Sequence, residues 1–350
     1  MSGILSLFIL VILLTLLTWI PLHRGKGMMH PYAFDRDTTL PLRGLLSLLI
    51  IGHHVSLRYP DASIGVLTSY GNPLVAIFFF CSGYGLLVSY RRKGAAYLSD
   101  FFRHRFSRLL PVFLLLTLGC AAVQCLTESL SPLEVLRRLV LRGTTPLPNS
   151  WFIYTLLYLY VVFYVACKTT RTTRSCLLVA ALLTAVAIGV KAKAGYGCWH
   201  WCTMPSFLLG MGVAAEEERI RRLLCRRPTL LLLPLVVAML AALGAVYLSG
   251  DVEVSHHRLS TTLYANAIPL LLLCYVYLWG FPSHRLGRYL GRTSLEIYLL
   301  HGIFLAALDA YALSWEVKAL ITFGLTLPAA GLAHVFSSWC SEKTERIFGN

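Results

Sequence analysis

Apolar runs recur along the chain from Ile4 to Ser338, and the charges gather in the short stretches between them. A run of roughly 18 or more residues with few charges is long enough to cross about 30 Å of hydrocarbon. Backbone polar groups in lipid must be satisfied within the segment, which leaves helices or a closed barrel. The runs are continuous rather than alternating, so helices are expected. The pattern places spans near residues 2–20, 41–58, 72–90, 107–126, 150–167, 175–192, 198–215, 229–249, 260–280, 294–312 and 318–340. The expected fold is all-α, a polytopic membrane bundle of about eleven transmembrane helices. No internal repeat and no low-complexity linker divides it. Between 126 and 150, Leu133, Leu136, Leu139 and Val140 fall at helical spacing, with Arg137, Arg138 and Arg142 among them. That spacing predicts a short amphipathic helix at the interface, serving as an acceptor platform or as a plain connection.

Composition agrees with the pattern. Of the 350 residues 57% are hydrophobic and only 13% are charged, against about 25% charged in soluble domains. The formal net charge of +15 would suggest nucleic acid in a soluble protein. Here the cations sit in short loops, so no nucleic-acid partner is expected. With the spans above, 23 of the 31 Lys and Arg fall in one set of alternate loops and 8 in the other. The positive-inside rule then puts the N-terminus outside and the C-terminus in the cytoplasm. The first span lacks the positive n-region of a signal peptide, because its basic residues follow it. Of the ten cysteines, most lie in apolar runs and act as small hydrophobes. Cys198 and Cys202 with His200 are too few ligands for a metal site, and no metal is expected.

Polar groups inside spans are costly and therefore informative. Arg43 and His54 are eleven residues apart. Eleven steps of about 100° bring both onto one stripe of a helix, separated by about 16 Å of rise. His53 is rotated off that stripe. A snorkelling arginine and an interfacial histidine are the plain alternatives. Phe78-Phe-Phe-Cys-Ser82-Gly83-Tyr84-Gly85 offers small residues for close packing and one hydroxyl. Arg105 and Arg108, three apart before Pro111, share a helical face. Forked guanidiniums there suit a phosphate-rich ligand, or serve only as orientation charge. Trp151 opens a span, where tryptophan is commonly an anchor. Ser294, Tyr298 and His301 follow within one span, the first and last nearly on one face. Asp309, His334 and His200 are read as interface residues.

These segments, in this order, resemble the acyltransferase family 3, integral membrane O-acyltransferases that modify surface polysaccharides and other carbohydrates. The matching pieces are Arg43 with ten residues before His54, Phe-Phe-Phe-Cys-Ser-Gly-Tyr, Arg105-Phe-Ser-Arg108, Trp151, and Ser294 through His301. The likeness covers about residues 38 to 340. It implies a ten-helix core plus one N-terminal helix: residues 1–37 carry the extra helix and a cytoplasmic loop, and 38–350 form the acyltransferase-like domain. It also implies an acyl-coenzyme A donor, acetyl-CoA by default, with no cofactor permanently bound. The family commonly has Ser-Gly-Phe where this chain has Ser82-Gly83-Tyr84.

From the resemblance, His54 and Arg43 are the expected catalytic pair. Arg105, Arg108 and Ser82 are expected on the donor, and Trp151, Tyr298 and His301 on the acceptor. His54 would act as general base on an acceptor hydroxyl, or carry the acyl group transiently. Arg43 and His54 are expected to share one polar conduit. Expected partners are the lipid bilayer, a carbohydrate or polysaccharide acceptor, and polysaccharide-assembly proteins, in a bacterial cytoplasmic membrane. The alternatives are a transporter or flippase for a lipid-linked or secreted glycan, and a non-catalytic membrane scaffold.

Overall fold

The computed structural model describes residues 34–59, 65–127, 131–142, 145–248 and 258–348. Among them every regular element is helical. The helices are α1 Arg36–Arg58, α2 Gly71–Lys93, α3 Ala96–Ser99, α4 Phe101–Thr127 and α5 Pro132–Arg142. They continue with α6 Trp151–Thr169, α7 Thr173–Lys193, α8 Pro205–Ala215, α9 Glu217–Arg226 and α10 Pro228–Leu248. The last are α11 Arg258–Trp279, α12 Arg285–Arg292, α13 Ser294–Ala307 and α14 Trp315–Phe348. Seven helices among the described residues are long and apolar enough to cross a membrane, or eight if α12 and α13, bent by 70°, form one span. The chain is an all-α polytopic membrane protein.

A count of eleven is not reached among these residues. The span expected over 2–20, and with it nearly all of the N-terminal segment 1–37, lies outside them. The span expected over 198–215 is instead a 3-10 turn at Cys198–His200 followed by the 11-residue α8. Pro205 at the start of α8 suits a first helical turn but not a helix interior. Eleven residues rise only about 16 Å, half of the hydrocarbon thickness. The short helix expected between 126 and 150 is present as α5.

Burial separates centre from periphery. About 67% of the apolar window of α1 and 72% of that of α2 are buried, against 17–22% for α4, α7 and α14. Leu118, Leu178, Leu182 and Leu332 on those outer helices are largely exposed, as lipid-facing side chains must be. Lipid is as apolar as leucine, so the inner helices need close backbone approach and polar bridges to associate. Both are present. A Cβ on Gly83 would meet the Phe207 carbonyl oxygen at 2.0 Å, and one on Gly210 the Phe80 oxygen at 2.1 Å. These glycines press α2 against α8. Likewise Gly44 faces the Gly287 oxygen at 2.7 Å, and Gly291 faces the Leu40 oxygen at 1.8 Å, which seats α12 against α1.

Three polar bridges tie α1 to the segment 294–309, in the same order along both. Arg43 donates to Ser294 Oγ at 3.0 Å, His54 meets His301 at 3.1 Å, and Arg58 pairs with Asp309, its Nε donating at 2.8 Å. Asp35 caps α1 by accepting from the Thr38 amide at 2.8 Å, which satisfies one orphan donor of the first turn.

Candidate active site

A cavity of about 1030 Å³ opens between α1, α2, α4, α6, α13 and α14. Its size is at the upper end of small-molecule sites, about 300–1,000 Å³. Five arginines line it: Arg36, Arg43, Arg105, Arg108 and Arg292. Among the described residues only two carboxylates, Glu296 and Glu342, do so. Arg105 is held by the Tyr97 hydroxyl, to which it donates at 2.6 Å, and lies 5.8 Å from the centre of the Tyr160 ring. Arg108 has no hydrogen bond or carboxylate partner among the described residues. A guanidinium left without an anion in a cavity is a ready partner for phosphate.

Arg43 lies deeper. Its bond to Ser294 depends on the break between α12 and α13, which sets the buried Ser294 at the start of α13. Ser82 also lines the cavity, with Cys81 and Gly85 beside it. The two glycines of this run differ in role. Gly83 is pressed against α8, whereas a Cβ on Gly85 would meet nothing within 4 Å. The tyrosine that departs from the family's Ser-Gly-Phe has its own account. The Tyr84 hydroxyl donates to Glu217 at 2.5 Å, and Tyr277 donates to the same oxygen at 3.0 Å. This buried node fixes α2 to α9 and α11.

Tyr298, Phe152 and Phe78 also line the cavity. Tyr298 and Phe152 pack ring to ring at 4.7 Å, and the Tyr298 hydroxyl donates to the Asn149 carbonyl at 3.0 Å. Behind Tyr298, at 5.7 Å, is the ring of His301, and 4.8 Å beyond that ring is His54. Neither histidine lines the cavity. The expectation that Arg43 and His54 share one open conduit is not met by this cavity, which of the two takes in Arg43 alone. Both lie along α1 as the helical stripe requires, but only Arg43 lines this cavity, and Tyr298 on its wall is the lining residue whose ring packs against His301.

The histidine pair has a readable proton arrangement. His301 Nδ1 is 3.2 Å from the Ile297 oxygen, so it carries the proton and donates. Its Nε2 then accepts, from His54 Nδ1 at 3.1 Å and from the Asn149 amide at 3.4 Å. His54 Nδ1 is also 3.0 Å from the Ile50 oxygen, so that nitrogen is the protonated one. The His54 Nε2 lone pair is left as a base or nucleophile. His53 packs edge-on against His54, ring centres 4.9 Å apart, but shares no hydrogen bond with the pair among the described residues. Its Nδ1 donates to the Leu67 oxygen at 2.9 Å, and its ring fills the space over Gly71.

The structure thus gathers Arg43, Ser82, Arg105, Arg108 and Tyr298 in one cavity and pairs His54 with His301 behind it. Trp151 stands apart, 5.6 Å from the His200 ring. Two participants, Asn149 and Glu296, were missed from sequence, and His334 was read only as an interface residue. Asn149 takes the left-handed conformation, φ 58°, which asparagine tolerates better than most residues, and so presents both its carbonyl and its amide to the site. Glu296, 1% exposed, accepts from His334 Nδ1 at 3.0 Å and from the Ser337 hydroxyl at 3.1 Å. A carboxylate within a span was itself a signal. Its first-turn position on α13 also suits the positive end of the helix dipole.

The model of the acyltransferase domain of family 3 matches residues 42–341. The chain belongs to this family. No curated protein and no solved structure matches it significantly. The match takes in every wall of the cavity described above except its rim at Phe34, Arg36, Thr39, Leu40 and Glu342. The acyltransferase is thus a membrane enzyme whose family domain covers most of the bundle.

Proposed function

We propose that this acyltransferase moves an acyl group, acetyl by default, from acyl-coenzyme A to a hydroxyl of a carbohydrate or polysaccharide. The observation that carries the reading is a large arginine-lined cavity whose Tyr298 packs beside a histidine pair, His301 buried and His54 half-buried. Arg105 and Arg108 suit the phosphates of the donor. The part of the wall by Arg43 and Ser82 suits its acyl-bearing arm. His54 Nε2 takes the proton of the acceptor hydroxyl, or accepts the acyl group itself, once Tyr298 yields. His301 and Asn149 hold His54 in the tautomer that this needs. The arginine-lined end faces the cytoplasm of a bacterial inner membrane, in keeping with the loop charges, and the glycan reaches the histidine end from outside.

The test supplies purified protein in detergent with radiolabelled acetyl-CoA and a panel of envelope glycans. Label is expected to appear on glycan with equimolar release of free coenzyme A. Unchanged acetyl-CoA, together with glycan flux across vesicles holding the protein, overturns the reading in favour of a transporter.

A further inference from the structure

The levels along α13 give the cavity a direction. Ser294, at the start of the helix, holds Arg43; Glu296 follows, then Tyr298, then His301. Five residues separate Glu296 from His301, about 7.5 Å of rise. A thioester entering from the arginines, with its carbonyl toward Tyr298 and His54, has its sulfur on the side from which it came. That is the level of Glu296 and His334, and both line the cavity.

Their geometry is that of a proton-handling dyad. A carboxylate only accepts, so His334 Nδ1 carries the proton shared with Glu296 Oε1 at 3.0 Å, and Nε2 is the ring's exchangeable position. Ser337 fixes the same oxygen from α14. Glu296 Oε2 is buried without any hydrogen-bond partner among the described residues. A buried polar atom left bare within a cavity wall is costly unless something else meets it.

We propose that His334 is the proton donor to the departing thiol, and that Glu296 positions it. This rests on the acyl-transfer reading above. The nucleophile forms its bond to the thioester carbon, and the C–S bond breaks with its electron pair going to sulfur. The step uses the imidazolium form of His334, protonated on both nitrogens: the Nε2 proton moves to that sulfur and leaves free thiol and a neutral imidazole still donating from Nδ1 to Glu296. His334 then regains a proton from water in the cavity. The proton of the acceptor hydroxyl goes separately to His54, so no further reactant is needed.

The test uses full-length protein in lipid nanodiscs with acetyl-CoA as the probe. H334Q is expected to lower kcat about 10²–10⁴-fold, the usual worth of a general acid, while acetyl-CoA binding and thermal midpoint stay as in wild type. H334A is expected to regain turnover with added imidazoles, graded by their basicity. E296Q, which keeps the shape of the cavity wall, is expected to lose kcat by a smaller factor at unchanged affinity. A kcat for H334Q within tenfold of wild type overturns the proposal. So does weakened acetyl-CoA binding at intact kcat, or a kcat loss that no imidazole restores. Wild-type protein that binds acetyl-CoA yet releases no thiol overturns the acyl-transfer reading instead, and this proposal with it.

Discussion

The two halves of the site are built on opposite principles. The arginine half is open, with about 1030 Å³ of space and cations in excess of carboxylates. The histidine half is closed, its two rings locked to backbone carbonyls and to each other. Open space beside unpaired guanidiniums suits a large anionic ligand that comes and goes. A locked histidine pair suits chemistry at one fixed atom, for which small displacements are costly. On the proposed reading, binding and the acceptor's chemistry are separated along one helix, α1, with Tyr298 as the candidate partition between them.

The largest expected effect tests the closed half. H54Q keeps a side chain near the Ile50 carbonyl but removes the Nε2 base. Its kcat is expected to fall about 10²–10⁴-fold, with acetyl-CoA binding intact because His54 lies outside the cavity. Transfer assays beside equilibrium binding check this. A loss of donor binding in H54Q would erase the separation of the halves.

The next effect tests the open half. Each charge-assisted hydrogen bond to a phosphate contributes about 1.5–3 kcal/mol. R108A, which disturbs no internal partner, is therefore expected to weaken acetyl-CoA binding roughly 10- to 100-fold, with kcat at saturation unchanged. R105A also gives up the Tyr97 and Tyr160 contacts, so its thermal midpoint is expected to fall as well. Titration calorimetry and thermal unfolding separate the two variants. Equal binding by R108A and wild type would mean that Arg108 serves orientation alone.

Sequence spacing made some of this legible. Positions on a single helix, such as Arg43 with His54 or Ser294 with His301, follow from 3.6 residues per turn and need no knowledge of neighbours. The stripe also singled out His54 over His53, and the structure gives His53 a packing role over Gly71. What was not legible lies between helices. The Glu296–His334 pair joins residues 38 apart, and no local period marks such a partner. Asn149 contributes through a backbone conformation and not through its residue type alone. The partition was missed for the same reason, because a helical stripe states direction but not what another helix places across it. The short α8 shows the limit of hydropathy: the run near 198–215 is apolar enough, but Pro205 starts a new helix inside it.

The smallest effect probes the partition itself, and two variants of Tyr298 separate its two contributions. Y298F removes only the hydroxyl that donates to the Asn149 carbonyl at 3.0 Å. One neutral hydrogen bond contributes about 1 kcal/mol, so transfer is expected to change by about fivefold or less. Y298A removes the ring as well, and with it the contact to Phe152 and the barrier between the cavity and His301. Water near His54 then reaches the thioester, which a closed site excludes. Acetyl-CoA hydrolysis without acceptor is expected to rise in Y298A and to stay at the wild-type level in Y298F. If the two variants hydrolyse acetyl-CoA equally, the ring is not the partition, and the arginine cavity and the histidine pair must communicate by another route.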